Sequence, residues 1–427
     1  MAVIGQTTAR TPGHALGVRN FQLLWLGQAV SLLGDQFAFV ALPWLALVLT
    51  GSALALGGVL ALMAVPRALF MLVGGAYVDR FSPRRVMAAA NAVRLAAVTV
   101  IAVIVIADRV ELWMLYAFAL VFGLADAFFY PAQQSIVPAL LEPDQLGQGN
   151  AIAQGTGQLA VFIGPAIAGA VVAALGTSGA QPSMAGIGLA LLVDAASFVV
   201  SLVTLALIRS GASGASGGEP ILQAVRAGIS FVGRSPALRT TILIVMGINL
   251  LVVGPLDVGL PMFAYSRLPE GVAAYGMMIS ASGGGALIGM LAGGLLPSPR
   301  PSLFGPVVLV VLAVAGFGVA GLAFVSATLP ATALCGLIGI GVGYANLTFI
   351  TWAQRRIPDM LMGRVMSLVM LGSIALVPVS QVIAGALVQV SLPGLLVAAG
   401  CLMAGLTLGA AATPAMRRMG TEPAWQP

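Results

Sequence analysis

The sequence predicts an all-α integral membrane protein of twelve transmembrane helices, arranged as two parallel six-helix halves. Three observations carry that prediction. Mean hydropathy is +1.05 over 427 residues, with 59% of residues hydrophobic and 7% charged, whereas a soluble domain of any size must clothe itself in polar side chains. Apolar runs of about 20 residues, enough to cross the hydrocarbon as a helix, recur from one end of the chain to the other. Short motifs of the first half also return in the second at a nearly constant offset.

The runs fall at 20–49, 54–78, 86–107, 112–136, 148–175, 186–208, 237–263, 273–296, 303–325, 331–353, 362–390 and 393–413. A run such as "LALLVDAASFVVSLVTLALI" is apolar on every face, while a membrane barrel strand alternates apolar and polar residues over about ten positions. The first run carries Asp35 and Pro43 and lacks a small-residue cleavage site, so it reads as a retained helix and not a signal peptide.

All cations are arginine, and their placement sets the topology. With the N-terminus in the cytoplasm, fifteen arginines lie inside, among them Arg10, Arg80, Arg84, Arg85, Arg355 and Arg417, against Arg109 and Arg267 outside. That asymmetry predicts a multi-pass protein of the cell membrane with both termini cytoplasmic. It also accounts for the net charge of +6 without nucleic acid as a partner. Cys335 and Cys401 lie inside apolar runs, where a thiol behaves as a small hydrophobe, so neither a disulfide nor a metal site is expected.

One connection is long. "RSGASGASGGEPILQAVRAGISFVGRSPALR", from Arg209 to Arg239, joins a Gly/Ser linker to a basic amphipathic stretch suited to an anionic inner leaflet. It divides the chain into a first half at 1–208, a cytoplasmic linker at 209–236 and a second half at 237–427. Gly74–Gly75 recur as Gly293–Gly294 at an offset of 219, Gln134 and Pro138 as Gln354 and Pro358 at 220, and Leu42–Pro43 as Leu260–Pro261 at 218. Parallel repeats of this kind place a substrate path between the halves.

Between the second and third runs stands "GGAYVDRFSPRR", Gly74 to Arg85. Twelve spans, the long central loop and this charged loop together resemble the major facilitator superfamily, whose loop signature appears here as Gly75, Asp79, Arg80, Arg84 and Arg85. Ser82 and Pro83 replace the signature's second glycine. The resemblance implies that Asp79 packs against the cytoplasmic start of the eleventh helix, near Gly363 and Arg364, where the positive end of the helix dipole favours a carboxylate. The alternative is an arginine-rich loop that only fixes topology. "GPAIAG", from Gly164 through Pro165 to Gly169, resembles a signature associated with antiporters of the superfamily, although Ala160 and Ala170 stand where glycines are expected. Close helix packing explains it as well. The segments "FQLLWLGQAVSLLGDQFAFVALPWL", "PAQQSIVPALL", "LLVDAASFVVS" and "IPDMLMGRVMSL" resemble the macrolide-efflux and enterobactin-exporter branch. Ala119, a turn before Gly123, occupies the position where drug–proton antiporters commonly carry an arginine.

An aspartate at mid-bilayer costs about 2.5–3.5 kcal/mol on insertion scales, and this chain carries four: Asp35, Asp126, Asp194 and Asp257. Arg94 lies about 12 Å into the third span at 1.5 Å per residue, and Asp126 lies at similar depth on the fourth, so the two are read as a structural pair. Arg67 is level with Asp35. By the resemblance, the first, fourth, seventh and tenth helices line the cavity, which puts Asp35 and Asp257 there from opposite halves and leaves Asp194 as a structural residue bonded to backbone or serine. Burial and a neighbouring arginine act in opposite senses on a carboxylate's hold on its proton. An acid that substrate moves between the two conditions can exchange a proton for substrate, and the candidates are Asp35, with Arg67 as its partner, then Asp257 and Asp126. A static ion pair is the alternative reading. Trp25, Phe39, Trp44, Phe128, Phe129, Met246, Met262 and Tyr344 could form an apolar pocket or simply face lipid.

No phosphate-binding loop and no His/Cys ligand set is legible, and the single His14 lies in the N-terminal tail. The expectation is a monomeric secondary transporter, not an enzyme and without a cofactor. It would export a small amphiphilic or hydrophobic compound, such as a drug, siderophore or metabolite, by alternating access in exchange for protons. A proton-coupled importer and a non-transporting membrane sensor or scaffold are the rival readings.

Overall fold

The computed structural model describes residues 14–175, 183–209, 233, 236–297, 299–355, 357, 365, 369, 372–418 and 421. Among these there is no strand. Eleven helical stretches are long and apolar enough to cross a membrane. The first half supplies α1 (Arg19–Thr50), α2 (Ala53–Arg80), α3 (Pro83–Ile106), α4 (Leu112–Leu140), α5 (Leu146–Ala174) and α6 (Met184–Leu207). In the second half α7 spans Leu238–Arg267, followed by α8 (Val272–Leu295), α9 (Phe304–Gly321) and α10 (Thr328–Gln354).

The last stretch, Val377–Ala411, is two helices. Ser391 leaves helical geometry at φ −165° and ψ 109°, and its Oγ accepts a hydrogen bond from the Gly394 N–H at 3.0 Å, a cap on a new helix that begins beside Pro393. The chain reverses there. Before the break, Gly372 neighbours Met246 and Ser380 neighbours Gly254, so 377–390 (α11) runs parallel to α7; beyond it, Leu396 neighbours Gly259 and Leu406 neighbours Gly247, so 392–411 (α12) runs antiparallel. Twelve spans result. The linker between the halves and the start of the eleventh span lie largely outside the described residues.

The two halves repeat one packing scheme. In the first, α1 lies on α6, α2 on α4 and α3 on α6; in the second, α8 lies on α10, α9 on the α11–α12 pair and α7 on the same pair. Between the halves the main contacts are α2 with α11 and α5 with α8, the same contact seen from either repeat. Each is made by facing glycines. A Cβ on Gly385 of α11 would lie 2.8 Å from the Ala53 carbonyl oxygen, and one on Gly169 of α5 would lie 2.7 Å from that of Val272. Their partners, Gly57 on α2 and Gly276 on α8, are 219 positions apart, the spacing of the sequence repeat.

These cross-half contacts gather toward the end of the bundle that carries the α1–α2 turn. There Gln389 Nε2 donates to Ser52 Oγ at 3.2 Å, and Trp44 meets Tyr265 edge-on at 5.6 Å. Along α5 the last polar link is Gln158 Nε2 to the Gly283 carbonyl at 3.3 Å. Asn150 and Gln154 share the Gln158 face by helical periodicity, yet both are exposed. Among the described residues, the cleft between the halves therefore opens toward the α2–α3 end.

Candidate functional site

The first half buries a charged cluster. Arg94 of α3, 2% exposed, forms an ion pair with Asp126 of α4, 4% exposed. Phe129 lies beneath the guanidinium at 3.9 Å, with Phe122 and Phe198 at 5.3 and 5.9 Å. The rings supply their electron-rich faces where water cannot, which compensates part of the cost of burying a cation. The depth estimate had set Arg94 and Asp126 level, and the structure brings them together.

Asp35 of α1 is half-buried, and its Oδ1 has no hydrogen-bond partner. The cation in electrostatic reach is Arg94, already engaged by Asp126. Arg67, expected as its partner, turns elsewhere. Its guanidinium lies 5.8 Å from the centroid of the Tyr130 ring, its Nε has no acceptor, and the acid within its reach is Asp257 of the other half. Equal depth fixes only height along the membrane normal; the angle around α2 decides which neighbour a side chain meets.

Asp257 owes its setting to a break in α7. Residues Asn249–Val253 form a π-helical turn just ahead of Pro255, which has no N–H to give. Ser380 of α11 satisfies the freed backbone on both sides, donating to the Leu250 carbonyl at 2.6 Å and accepting from the Gly254 N–H at 2.8 Å. One residue on, Gln381 Nε2 donates to Asp257 Oδ2 at 2.9 Å. Sequence reasoning missed Ser380 and Gln381. The Gly254–Pro255 pair within an apolar run was the signal available for the break.

Asp194 of α6 is fully buried and neither carboxylate oxygen has a hydrogen-bond partner. Ser197 Oγ, beside it, donates to the Asp194 main-chain carbonyl at 2.7 Å. The acid lies against Gly34 of α1, the residue before Asp35, and within electrostatic reach of Asp35, Arg94 and Asp126.

In the charged loop, Gly75 has no neighbour within 4 Å of a built Cβ. Arg80 lies over Phe81 at 6.0 Å, and Arg85 is exposed. Arg84 donates from Nε to the Leu205 carbonyl at 2.6 Å and from Nη2 to that of Ala206 at 3.0 Å, closing the C-terminal carbonyls of α6 as a basic residue does at a helix end. The Asp79 side chain and residues 358–364, its expected partner, lie outside the described residues. Within "GPAIAG", Gly164 packs on Gln36 of α1, while Pro165 and Gly169 meet Gly276 of α8, so the motif holds the two halves together at their closed end. The proposed apolar pocket residues are scattered: Trp25 donates to Thr156 Oγ1 at 2.9 Å, Phe128 meets Tyr77 edge-on at 5.7 Å, and Phe39 is exposed.

Two halves that repeat one packing scheme around a cleft, with acids and an arginine held within apolar helices, have the build of a membrane transporter. Residues 24–379 match the Major Facilitator Superfamily, and the chain belongs to that family. It is 28% identical over 373 residues to the multidrug efflux pump Tap of Mycolicibacterium fortuitum, covering 83% of this chain and 85% of the relative. It is 25% identical over 190 residues to macrolide efflux protein A of Streptococcus pyogenes, 44% of each chain. Among solved structures, a bacterial homologue of the iron transporter ferroportin in an inward-facing state superposes with a TM-score of 0.69 at 20% identity, covering 92% of this chain and 99% of that one. A bacterial homologue of the lysosomal transporter Spinster, also inward-facing, gives 0.66 at 13% identity over 96% and 98%. The chain is thus a multi-pass membrane transporter with drug-efflux relatives, and not an enzyme.

Proposed function

We propose that this transporter exports small amphiphilic or hydrophobic compounds, macrolide-like drugs among them, by alternating access in exchange for protons. It acts as a monomer in the cell membrane with both termini cytoplasmic, so that the cleft opens to the cytoplasm. The observation that carries the reading is Asp35. It is a half-buried acid on a cavity helix, with one oxygen unpartnered and the cation in electrostatic reach, Arg94, already paired with Asp126. An acid so placed gains little from remaining charged and is free to trade its proton when substrate or a conformational change alters its surroundings. The names of the relatives supply the substrate class and the direction.

The test compares two fluxes of a radiolabelled macrolide in reconstituted vesicles at matched levels of folded protein. Asp35→Asn mimics the permanently protonated form, so proton-gradient-driven uphill export is lost while downhill exchange survives. Asp35→Glu retains part of the uphill flux. Undiminished uphill transport by Asp35→Asn removes Asp35 from the coupling role, and uptake driven with the opposite sign makes the protein an importer. A reporter fused after Arg418 that reads external overturns the topology.

A further inference from the structure

Asp194 is the buried acid that the exchange at Asp35 leaves unused. Its helix α6 packs against α1, α3 and α5. The charged groups that face it are Asp35 from α1, Arg94 from α3 and, beyond Arg94, Asp126 of α4; α5 carries no titratable side chain. One cation therefore stands among three carboxylates, and Asp126 has it. With no cation of its own and the Ser197 hydroxyl as the donor beside it, the Asp194 carboxylate is expensive to keep charged in such a place.

The surroundings of Asp194 are polar in one direction only. A Cβ on Gly34 would lie 3.1 Å from Asp194 Oδ1, so α1 and α6 approach backbone to backbone at this acid. From there Ser197, Ser201 and Thr204 follow along the buried face of α6, with Ser31 and Asn91 buried opposite them. Asn91 Nδ2 donates to Ser201 Oγ at 2.9 Å, while Ser31 Oγ and Asn91 Oδ1 have no hydrogen-bond partner. The file ends at Leu205 and Ala206, whose carbonyls Arg84 holds at the α2–α3 end of the bundle. Buried polar atoms left unpartnered in a native structure call for an explanation, and Ser31 Oγ and Asn91 Oδ1, beside a polar file that leads from a buried acid to one end of the bundle, have a chemical one.

We infer that Asp194 is a second proton-binding acid, filled from the α2–α3 end through the Ser197–Ser201–Thr204 file between α1 and α6 and not through the central cleft. The bundle then carries two exchangeable protons, one on Asp35 and one on Asp194. Ser197 and Thr204 donate to the main-chain carbonyls of Asp194 and Ser201 in this state, so water entering the file must link its hydroxyls. A proton from bulk then passes along those waters and hydroxyls, each oxygen accepting one and releasing another, and ends on an Asp194 oxygen, with only O–H bonds formed and broken. The inference rests on the proton-exchange reading of Asp35, and its test needs no transported substrate.

The test is an infrared pH titration of the purified full-length protein in lipid bilayers, following the carboxylic-acid carbonyl bands. Among the bands of its 13 acidic residues, wild type shows one from Asp194 and one from Asp35 that come and go with pH. Asp194→Asn loses one and keeps the other, and Asp35→Asn does the reverse. After a rapid pH drop, Ser201→Ala and Thr204→Val fill the Asp194 band more slowly without changing its final height. Should Asp194→Asn fail to fold, Asp194→Glu must move one band to the glutamic-acid position. An Asp194→Asn spectrum identical to wild type, or a glutamate substitution that moves no band, overturns the site. Unchanged filling rates in both hydroxyl variants overturn the route. A titrating Asp194 band beside a silent Asp35 supports Asp194 while refuting the exchange at Asp35.

Discussion

Gly169 of α5 and Gly276 of α8 meet across the boundary between the halves, with the Gly276 Cα 3.1 Å from where a Cβ on Gly169 would stand. The pair is the structural double of Gly385 on α11 against Gly57 on α2, and together they close one end of the cleft. Contacts this tight hold only while the halves are in this orientation, so they bias the equilibrium between the two faces of the transporter.

Gly169→Ala is expected to destabilise this closed end by about 1–3 kcal/mol, the usual cost of overpacking, and to shift the population toward the opposite-facing state. Distances between spin labels on the outer ends of α5 and α8 should lengthen. Gly123→Ala is the control. It would drive a Cβ into the Met63 backbone inside one half, so it should lower the yield of folded protein and leave that distance alone.

Asp126→Asn leaves Arg94 buried without a counter-charge, a change that costs about 3–5 kcal/mol. Thermal unfolding in detergent should show a large drop. The double variant Arg94→Met/Asp126→Leu removes both charges and should recover most of the loss. A double variant as unstable as the single would mean that the aromatic cage around Arg94, and not the ion pair, sets the stability.

Ser380→Ala strips the α7 break of a donor to Leu250 and an acceptor for Gly254. Leaving those groups unsatisfied costs about 1–3 kcal/mol each. Hydrogen exchange at 250–257 should accelerate, with the rest of α7 little changed. Uniform protection would show that the π-turn supports itself.

Arg84→Gln removes the cationic fork from the last carbonyls of α6, worth about 0.3–1 kcal/mol for a charge at a helix end. The α3–α6 contact should loosen, read as faster exchange at 203–207. Equal protection in variant and wild type would leave Arg84 with a role in topology alone.

The sequence by itself determined the class, the spans and the duplication. Hydrocarbon accepts only backbones whose hydrogen bonds are closed internally, so apolar runs of sufficient length can be only helices, and their number follows by counting. The repeat was legible because Gly74–Gly75, Gln134 with Pro138, and Leu42–Pro43 each return some 219 positions on, the spacing that the structure shows again in Gly57 and Gly276. Depth along the membrane was legible too, since each helical residue rises by a fixed step, and it set Arg94 level with Asp126. Tertiary structure alone decided the neighbours around each helix. Rotation about α2 sent Arg67 to Tyr130 and Asp257 instead of Asp35. Packing of α6 on Gly34 brought Asp194 beside the Asp35 cluster, where its helix number had set it away from the cavity as a structural residue. The reversal at Ser391 aligned α11 with α7 and so placed Ser380 and Gln381 on the α7 break. A hydrophobic run records how deep a residue lies, whereas its partner is chosen by which faces of two helices meet, and in a chain apolar on every face no periodicity records that choice.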